Sequence, residues 1–170
     1  LASRFGAGDV LDVYYAAFQI PDLLYTVLLV GAASAAVMPV FMEYDRRGAA
    51  AVEGFVSNLL TVFSVFGLAA VGAAIVLAPW LVGFVAPGFG PEKFASTVTL
   101  TRLMAVNALM LGIAGILSSV LQARRRFLVF ALPPIFYNLG IITGIVAFVP
   151  LCGAAGLAYG GVLGGLAQIL

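Results

Sequence analysis

The sequence predicts an all-α protein, a polytopic bundle of transmembrane helices. Its 170 residues are 64% hydrophobic and 9% charged, whereas soluble domains average roughly 45–50% apolar and about 25% charged residues. The mean hydropathy is +1.18, and the few charges leave several uncharged stretches that are long enough to span a membrane. Because a soluble fold needs more polar surface than this chain carries, the bilayer is the solvent that suits its composition.

The composition also limits the chemistry that the chain can perform. It has no histidine and one cysteine, Cys152, which excludes an internal disulfide, histidine-based acid–base catalysis and His/Cys metal sites. A net charge of +1 gives no electrostatic basis for binding nucleic acid. There is no phosphate-binding glycine loop or nucleophile motif. We therefore expect no enzyme, no catalytic residues and no resident metal or cofactor.

Charged residues separate the predicted membrane spans. The 20 uncharged residues of Leu23–Met42 are enough for about 30 Å of helix. The 38 residues between Glu53 and Glu92 exceed one span, and Pro79 with Trp80 is predicted to divide them, with Trp80 at the headgroup level. We predict one transmembrane domain, 1–170, with the tail of a preceding helix at 1–8, spans at about 9–42, 50–77, 91–123, 127–149 and 152–170, and an interfacial helix at about 79–86.

The distribution of basic residues predicts the orientation. The loops at 43–53 and 123–127 carry five arginines between them, and the opposite loops carry at most three basic residues. Since cytoplasmic loops are enriched in Lys and Arg, we expect these two loops on the cytoplasmic side. The chain begins at Leu1 without Met and ends inside the apolar run Gly161–Leu170, so we expect a fragment of a longer protein.

Polar residues in the first span predict the wall of a cavity. At 100° per residue, five of them fall on one stripe about 120° wide. Lipid cannot satisfy such a stripe, which is therefore expected to face water or the bundle interior. For Asp9 and Asp12 the alternative is a simple position at the helix entry, where a carboxylate complements the helix dipole. The stripe consists of Asp12, Gln19, Asp22, Thr26 and Ser34.

Two further features concern packing and the membrane interface. Glycines 156, 160 and 164 recur at four-residue spacing, which predicts a close approach by another helix. Arg102, near the start of the third span, is expected to extend towards the outer interface. Neither feature by itself indicates a substrate.

Three blocks of the sequence resemble the MurJ/MviN family in order and spacing, over a region from Phe5 to about Gly165. One block alone is a weak signal, but three in register are specific. The blocks are Phe5-Gly-Ala-Gly with Asp12, Tyr14-Tyr15, Phe18-Gln-Ile-Pro-Asp-Leu-Leu24, Gly31-Ala-Ala-Ser34 and Pro39; Ala86-Pro-Gly-Phe89 with Lys93-Phe94; and Pro134-Ile-Phe-Tyr-Asn138.

This resemblance implies the N-terminal lobe of a lipid II flippase of the multidrug/oligosaccharidyl-lipid/polysaccharide exporter superfamily. Such a protein moves a lipid-linked peptidoglycan precursor across the bacterial cytoplasmic membrane by alternating access. The implied partners are an undecaprenyl-linked saccharide lipid, membrane lipids and the C-terminal lobe of the same chain. Coupling to membrane potential, H⁺ or Na⁺ is left open. The expected substrate-cavity residues are Asp12, Gln19, Asp22, Tyr25, Thr26, Ser34 and Asn138.

The chain departs from the family pattern after the Leu-Leu pair, where Tyr25 and Thr26 stand in place of basic residues. A cationic contact for pyrophosphate is thus missing from this helix, which leaves room for another lipid-linked saccharide. The main alternative is a cation-coupled multidrug or lipid-linked polysaccharide exporter, with Asp12 or Asp22 as its H⁺ or Na⁺ site. A polyprenyl-lipid enzyme and a structural scaffold are the remaining alternatives.

Overall fold

The computed structural model describes residues 9–32, 37–124, 126–153 and 155–169, and all regular structure within these ranges is helical. The all-α prediction is therefore confirmed for this part of the chain. Residues 1–8 and Ser34 lie outside the described residues. The helices are α1 (Asp9–Ala32), α2 (Val37–Arg46), α3 (Ala49–Val85), α4 (Pro91–Ala123), α5 (Phe127–Thr143, continued by a π-helical turn at Gly144–Phe148 and by Val149–Cys152) and α6 (Ala155–Ala167).

Three helices in the described ranges are long and apolar enough to cross a membrane, over Ala49–Val85, Pro91–Gln122 and Leu128–Cys152. They fall on the second, third and fourth predicted spans. Large apolar side chains point outwards from them, including Phe84 at 82% and Leu128 at 87% exposure. Such surfaces suit lipid rather than water, so the chain is a multi-pass helical membrane protein.

Helix α3 differs from its prediction, because it runs without a break where two segments were expected. Pro79 lies inside it, and a proline cannot donate the backbone hydrogen bond to the carbonyl four residues earlier. That carbonyl belongs to Ile75, and Nε of Arg102 donates to it at 3.0 Å. The neighbouring helix thus supplies the missing donor, and the side chain of the exposed Arg102 lies against α3.

Helix α4 is the centre of the bundle and packs against α1, α3, α5 and α6. Three clusters of buried apolar residues lie along it, and each contains at least one of its side chains. Val98 packs with α1 and α3, Leu100 and Met104 pack with α1 and α6, and Leu109 packs with α3. Contacts with α4 therefore position α1 and α3, whereas α5 packs mainly against α6 and α2 packs against α3.

Helices α5 and α6 meet through their glycines, as the four-residue spacing predicts. A Cβ atom placed on Gly160 would lie 2.6 Å from the Cα atom of Gly144, and one on Gly164 would lie 2.6 Å from the carbonyl oxygen of Tyr137. A Cβ on Gly156 would meet the backbone of Phe148 and Val149. Since backbone atoms cannot move aside as a flexible side chain can, the contact requires glycine.

The turn between α5 and α6 lies at Gly153, close to the boundary between the spans predicted at 127–149 and 152–170. Helix α5 continues through a π-helical turn, in which the Val149 N–H donates to the carbonyl of Gly144, and passes Pro150 before it ends. Gly153 then adopts a φ of +59°, a left-handed conformation that glycine tolerates without a steric penalty. The chain reverses at this residue and enters α6.

The glycine contact between α5 and α6 can be tested with Gly160→Ala in the full-length protein. The added methyl group must displace the backbone of α5, and we expect a loss of about 1–3 kcal/mol of stability. Thermal unfolding in detergent measures this loss. Gly72→Ala on α3 is the matched control, because nothing lies within 4 Å of its Cβ position, and it should leave stability unchanged or slightly raised. Equal behaviour of the two variants would contradict the close approach.

Candidate functional site

A cleft of about 250 Å³ lies between α1, α4, α5 and α6. We call it the tyrosine cleft, because three of its lining residues are tyrosines from two helices. Clefts between the helices of a bundle are frequent ligand sites. Its lining residues are Tyr14, Phe18, Pro21, Asp22 and Tyr25 of α1, Met104, Asn107, Ala108 and Leu111 of α4, Tyr137 and Ile141 of α5, and Leu157, Ala158 and Gly161 of α6.

The aromatic wall of the cleft follows from the way α1 packs. Val13, Ala17 and Ile20 are buried on the side of α1 that meets α4, and their spacing of three and four residues defines one helix face. Tyr14 and Phe18 lie one turn apart at the edge of that face, with their ring centroids 6.3 Å apart and the rings stacked. Small residues beneath these rings let α1 approach α4 closely and leave the rings in the cleft.

A polar contact joins two walls of the cleft. Asn107 of α4 is 8% exposed, and its Nδ2 atom donates to the hydroxyl oxygen of Tyr137 on α5 at 3.2 Å. Space for the amide comes from α6, since a Cβ atom on Gly165 would lie 2.5 Å from the Asn107 Oδ1 atom. This oxygen is buried and has no hydrogen-bond donor among the described residues.

The electrostatic character of the cleft is set by one carboxylate. Among the described residues that line it, Asp22 is the one with a charged side chain. Aromatic faces, phenol hydroxyls, an amide and a carboxylate suit groups that are uncharged or cationic. An anionic group placed there would meet Asp22 without a basic partner in the lining.

The predicted polar stripe lies on the outer face of α1. Asp12, Gln19, Asp22 and Thr26 are all exposed, while the opposite side of the helix packs on α4. Asp22 borders the tyrosine cleft. Gln19 instead borders a separate apolar groove of about 510 Å³ between α1 and α3. The stripe therefore faces away from the other described helices.

The remaining predicted site residues occupy different surroundings. Tyr25 lines the tyrosine cleft, whereas the exposed Asn138 donates from Nδ2 to the Pro134 carbonyl of its own helix at 2.7 Å. Asp12 has a side chain that is 62% exposed, and its Oδ2 atom lies 3.9 Å from Nζ of Lys93. An ion pair this exposed contributes little to stability, about 0–1 kcal/mol.

Of the aromatic and polar residues that line the cleft, four were not among the predicted site residues, namely Tyr14, Phe18, Asn107 and Tyr137. Two of them left a signal. Asn107 is a lone amide inside an otherwise apolar stretch of α4, and Tyr137 directly precedes the predicted Asn138. The aromatic pair on α1 has the spacing of any packed helix, so its sequence alone does not distinguish a cleft wall from a core.

Comparison with known proteins gives one consistent family. The whole chain, residues 1–170, matches the family model described as lipid II flippase MurJ. It is 33% identical to a probable lipid II flippase MurJ of Buchnera aphidicola subsp. Acyrthosiphon pisum, across 100% of this chain and 34% of the relative.

Two further relatives agree with this match. The chain is 31% identical to the lipid II flippase MurJ of Burkholderia cenocepacia, across 100% of this chain and 34% of that protein. It is 30% identical to a probable lipid II flippase MurJ of Thermotoga maritima, across 100% of this chain and 35% of the relative. The chain thus spans about a third of the length of the curated relatives it matches.

The contact between Asn107 and Tyr137 can be tested with Tyr137→Phe. This change leaves the buried amide of Asn107 without its acceptor, and an unpaired buried polar group costs about 1–3 kcal/mol. Thermal unfolding of the full-length protein in detergent should show this loss. Tyr159→Phe, at a tyrosine that is 44% exposed, is the matched control and should have no effect. A stable Tyr137→Phe variant would show that the contact does not hold the cleft together.

Proposed function

Because the chain belongs to the lipid II flippase MurJ family, we propose that it is part of a flippase that moves lipid II across the bacterial cytoplasmic membrane by alternating access. The observation that carries this proposal is the family match along the whole chain. The relatives are named as flippases, which supports transport rather than catalysis. Their names do not favour the multidrug or polysaccharide exporter alternative.

In this proposal, the chain is the N-terminal lobe of the flippase and contributes five spans. We assign α1 and α2 to the first span, α3 to α5 to the next three, and α6 to the start of the fifth. The share of about a third of each relative's length supports a partial lobe. The rest of the same protein, including a C-terminal lobe, is then the main protein partner of these helices.

The exposed polar face of α1 supports a water-filled cavity between this lobe and the rest of the protein. Two carboxylates beside exposed apolar side chains such as Leu23 and Val27 are costly against lipid, and the described helices do not cover them. A cavity on this side would keep the stripe hydrated. The residues that we assign to the cavity are Asp12, Gln19, Asp22, Tyr25, Thr26, Ser34 and Asn138.

The tyrosine cleft opens beside Asp22 on this face and suits a particular part of the substrate. Its aromatic rings and hydrogen-bonding groups match the sugar and peptide portion of a lipid-linked precursor. The pyrophosphate would be repelled by Asp22 and needs a basic contact from another part of the protein. The undecaprenyl chain stays in the bilayer. In this proposal transport is coupled to membrane potential, H⁺ or Na⁺, and Asp12 or Asp22 is the H⁺ or Na⁺ site of the exporter alternative.

The role of Asp22 can be tested with Asp22→Asn in a lipid II accessibility assay on the full-length protein in cells. Loss of one charged hydrogen-bond acceptor corresponds to about 1.5–3 kcal/mol, so export should fall about tenfold or more. Glu53→Gln is the matched control, because Glu53 is an exposed acid on α3 outside the stripe, and its export should remain normal. Asp12→Ala in the same assay examines the second carboxylate and should also reduce export.

Protein abundance must be equal in all strains of this assay. Normal export by the Asp22→Asn variant would reject the substrate role of the tyrosine cleft. If Asp12→Ala exports normally and Asp22→Asn does not, export depends on the part of the stripe around Asp22 and not on Asp12. In a strain that lacks this protein and has no other flippase, normal precursor export would reject the proposed function itself.

A further inference from the structure

Among the described helices, α1, α3 and α5 contain internal prolines. Pro21 in α1 and Pro79 in α3 belong to the two helices that pack most extensively on α4. Each proline removes the backbone donor for the carbonyl four residues earlier, so the carbonyls of Ala17 and Ile75 lose their usual partners. In a membrane no water replaces that partner, and an unsatisfied carbonyl costs several kilocalories per mole. Both carbonyls therefore require a donor from elsewhere in the protein.

The donor for Ile75 is an arginine of α4. Nε of Arg102 donates to the Ile75 carbonyl oxygen at 3.0 Å, within the normal range for an N–H···O bond. A cationic donor makes this bond stronger than one between neutral groups. Arg102 is 27 positions away from Ile75 in the chain, so the bond joins two different helices.

The donor for the Ala17 carbonyl is Thr101, the residue that precedes Arg102 in α4. Thr101 is 0% exposed, and its Oγ1 atom donates to the Ala17 carbonyl oxygen at 3.5 Å. This contact is longer than a normal O–H···O hydrogen bond, so it is the weaker of the two. Thr97 and Thr99 on the same helix instead bond to carbonyls of α4 itself, at 2.7 Å and 3.0 Å. The hydroxyl of Thr101 differs from these two in reaching across to a neighbouring helix.

We infer that Thr101 and Arg102 form a two-residue clamp, in which successive side chains of α4 satisfy the carbonyls freed by Pro21 in α1 and by Pro79 in α3. Adjacent residues on a helix point about 100° apart, so one short segment of α4 holds both neighbours at once. The clamp ties α1 and α3 to α4 at the carbonyls that Pro21 and Pro79 leave without a backbone donor. Both residues are positioning residues and need not touch a substrate.

The clamp bears directly on the proposed site. Pro21 and Asp22 line the tyrosine cleft, and they lie one turn after Ala17, whose carbonyl Thr101 holds. Arg102 acts on a different face of α4, at α3, which does not contribute to the lining of this cleft. Thr101 therefore positions the cleft wall, whereas Arg102 positions the helix behind it.

A double-mutant cycle tests the clamp in the full-length protein, with thermal unfolding in detergent as the readout. Arg102→Met keeps the apolar stem and removes the donor, and we expect the melting temperature to fall by about 2–4 °C or more. Pro79→Ala restores the N–H that bonds to Ile75 within α3. In the Pro79→Ala background, Arg102→Met should therefore cost much less. The same loss in both backgrounds would overturn the inference.

The second arm of the cycle uses Thr101→Val with Pro21→Ala, and it should show a smaller rescue because the bond is longer. The mismatched pairs, Arg102→Met with Pro21→Ala and Thr101→Val with Pro79→Ala, are the controls. The losses in these pairs should be additive, because the N–H that each alanine restores does not reach the carbonyl whose side-chain donor was removed. Rescue by the mismatched pairs would indicate general helix stabilisation and would overturn the clamp.

If Arg102→Met fails to fold, Arg102→Lys serves in its place, because the shorter cation weakens the bond without removing the charge. Its smaller loss of melting temperature should again shrink in the Pro79→Ala background, and an unchanged loss would overturn the clamp. None of these measurements depends on lipid II export. Failure of the clamp and failure of the proposed function are thus distinguishable.

Discussion

The constraint that governs this bundle is that a backbone carbonyl in hydrocarbon must find its donor within the protein. The chain places prolines inside its helices, so the constraint applies repeatedly. Helix α3 continues past Pro79 because Arg102 donates to the Ile75 carbonyl. Helix α5 passes Pro150 after a π-helical turn that rearranges its backbone bonds. The central position of α4 is thus a matter of hydrogen bonding as well as apolar packing.

The second determinant of the site is the close approach of α5 and α6. Glycine on both helices brings their backbones together, and this places Tyr137 near α4, where Asn107 meets it. Helix α6 also places Gly161 in the cleft lining and Gly165 beside the Asn107 amide. A side chain at any of these glycines would occupy either the helix contact or the cleft itself.

Patterns that are local in the chain predict much of this structure, because hydropathy and glycine spacing depend on few neighbours. The helical class, three apolar spans and the contact at Gly160 follow in this way. The continuity of α3 does not, since it depends on Arg102, a residue distant in sequence. The facing of the Asp12–Asp22 stripe depends on which side of α1 meets α4, and this is decided by Ala17 and its buried neighbours. The cleft combines four helices, so no single segment contains its signature.

The glycine contact between α5 and α6 also limits how these two helices can move relative to each other. Side chains absorb small displacements by changing rotamers, but Gly144 and Gly160 meet backbone to backbone and have no rotamers to change. The contact between these two helices therefore cannot adjust by side-chain rotation. Any change in the width of the tyrosine cleft must then come from the movement of whole helices rather than from side chains at the α5–α6 contact.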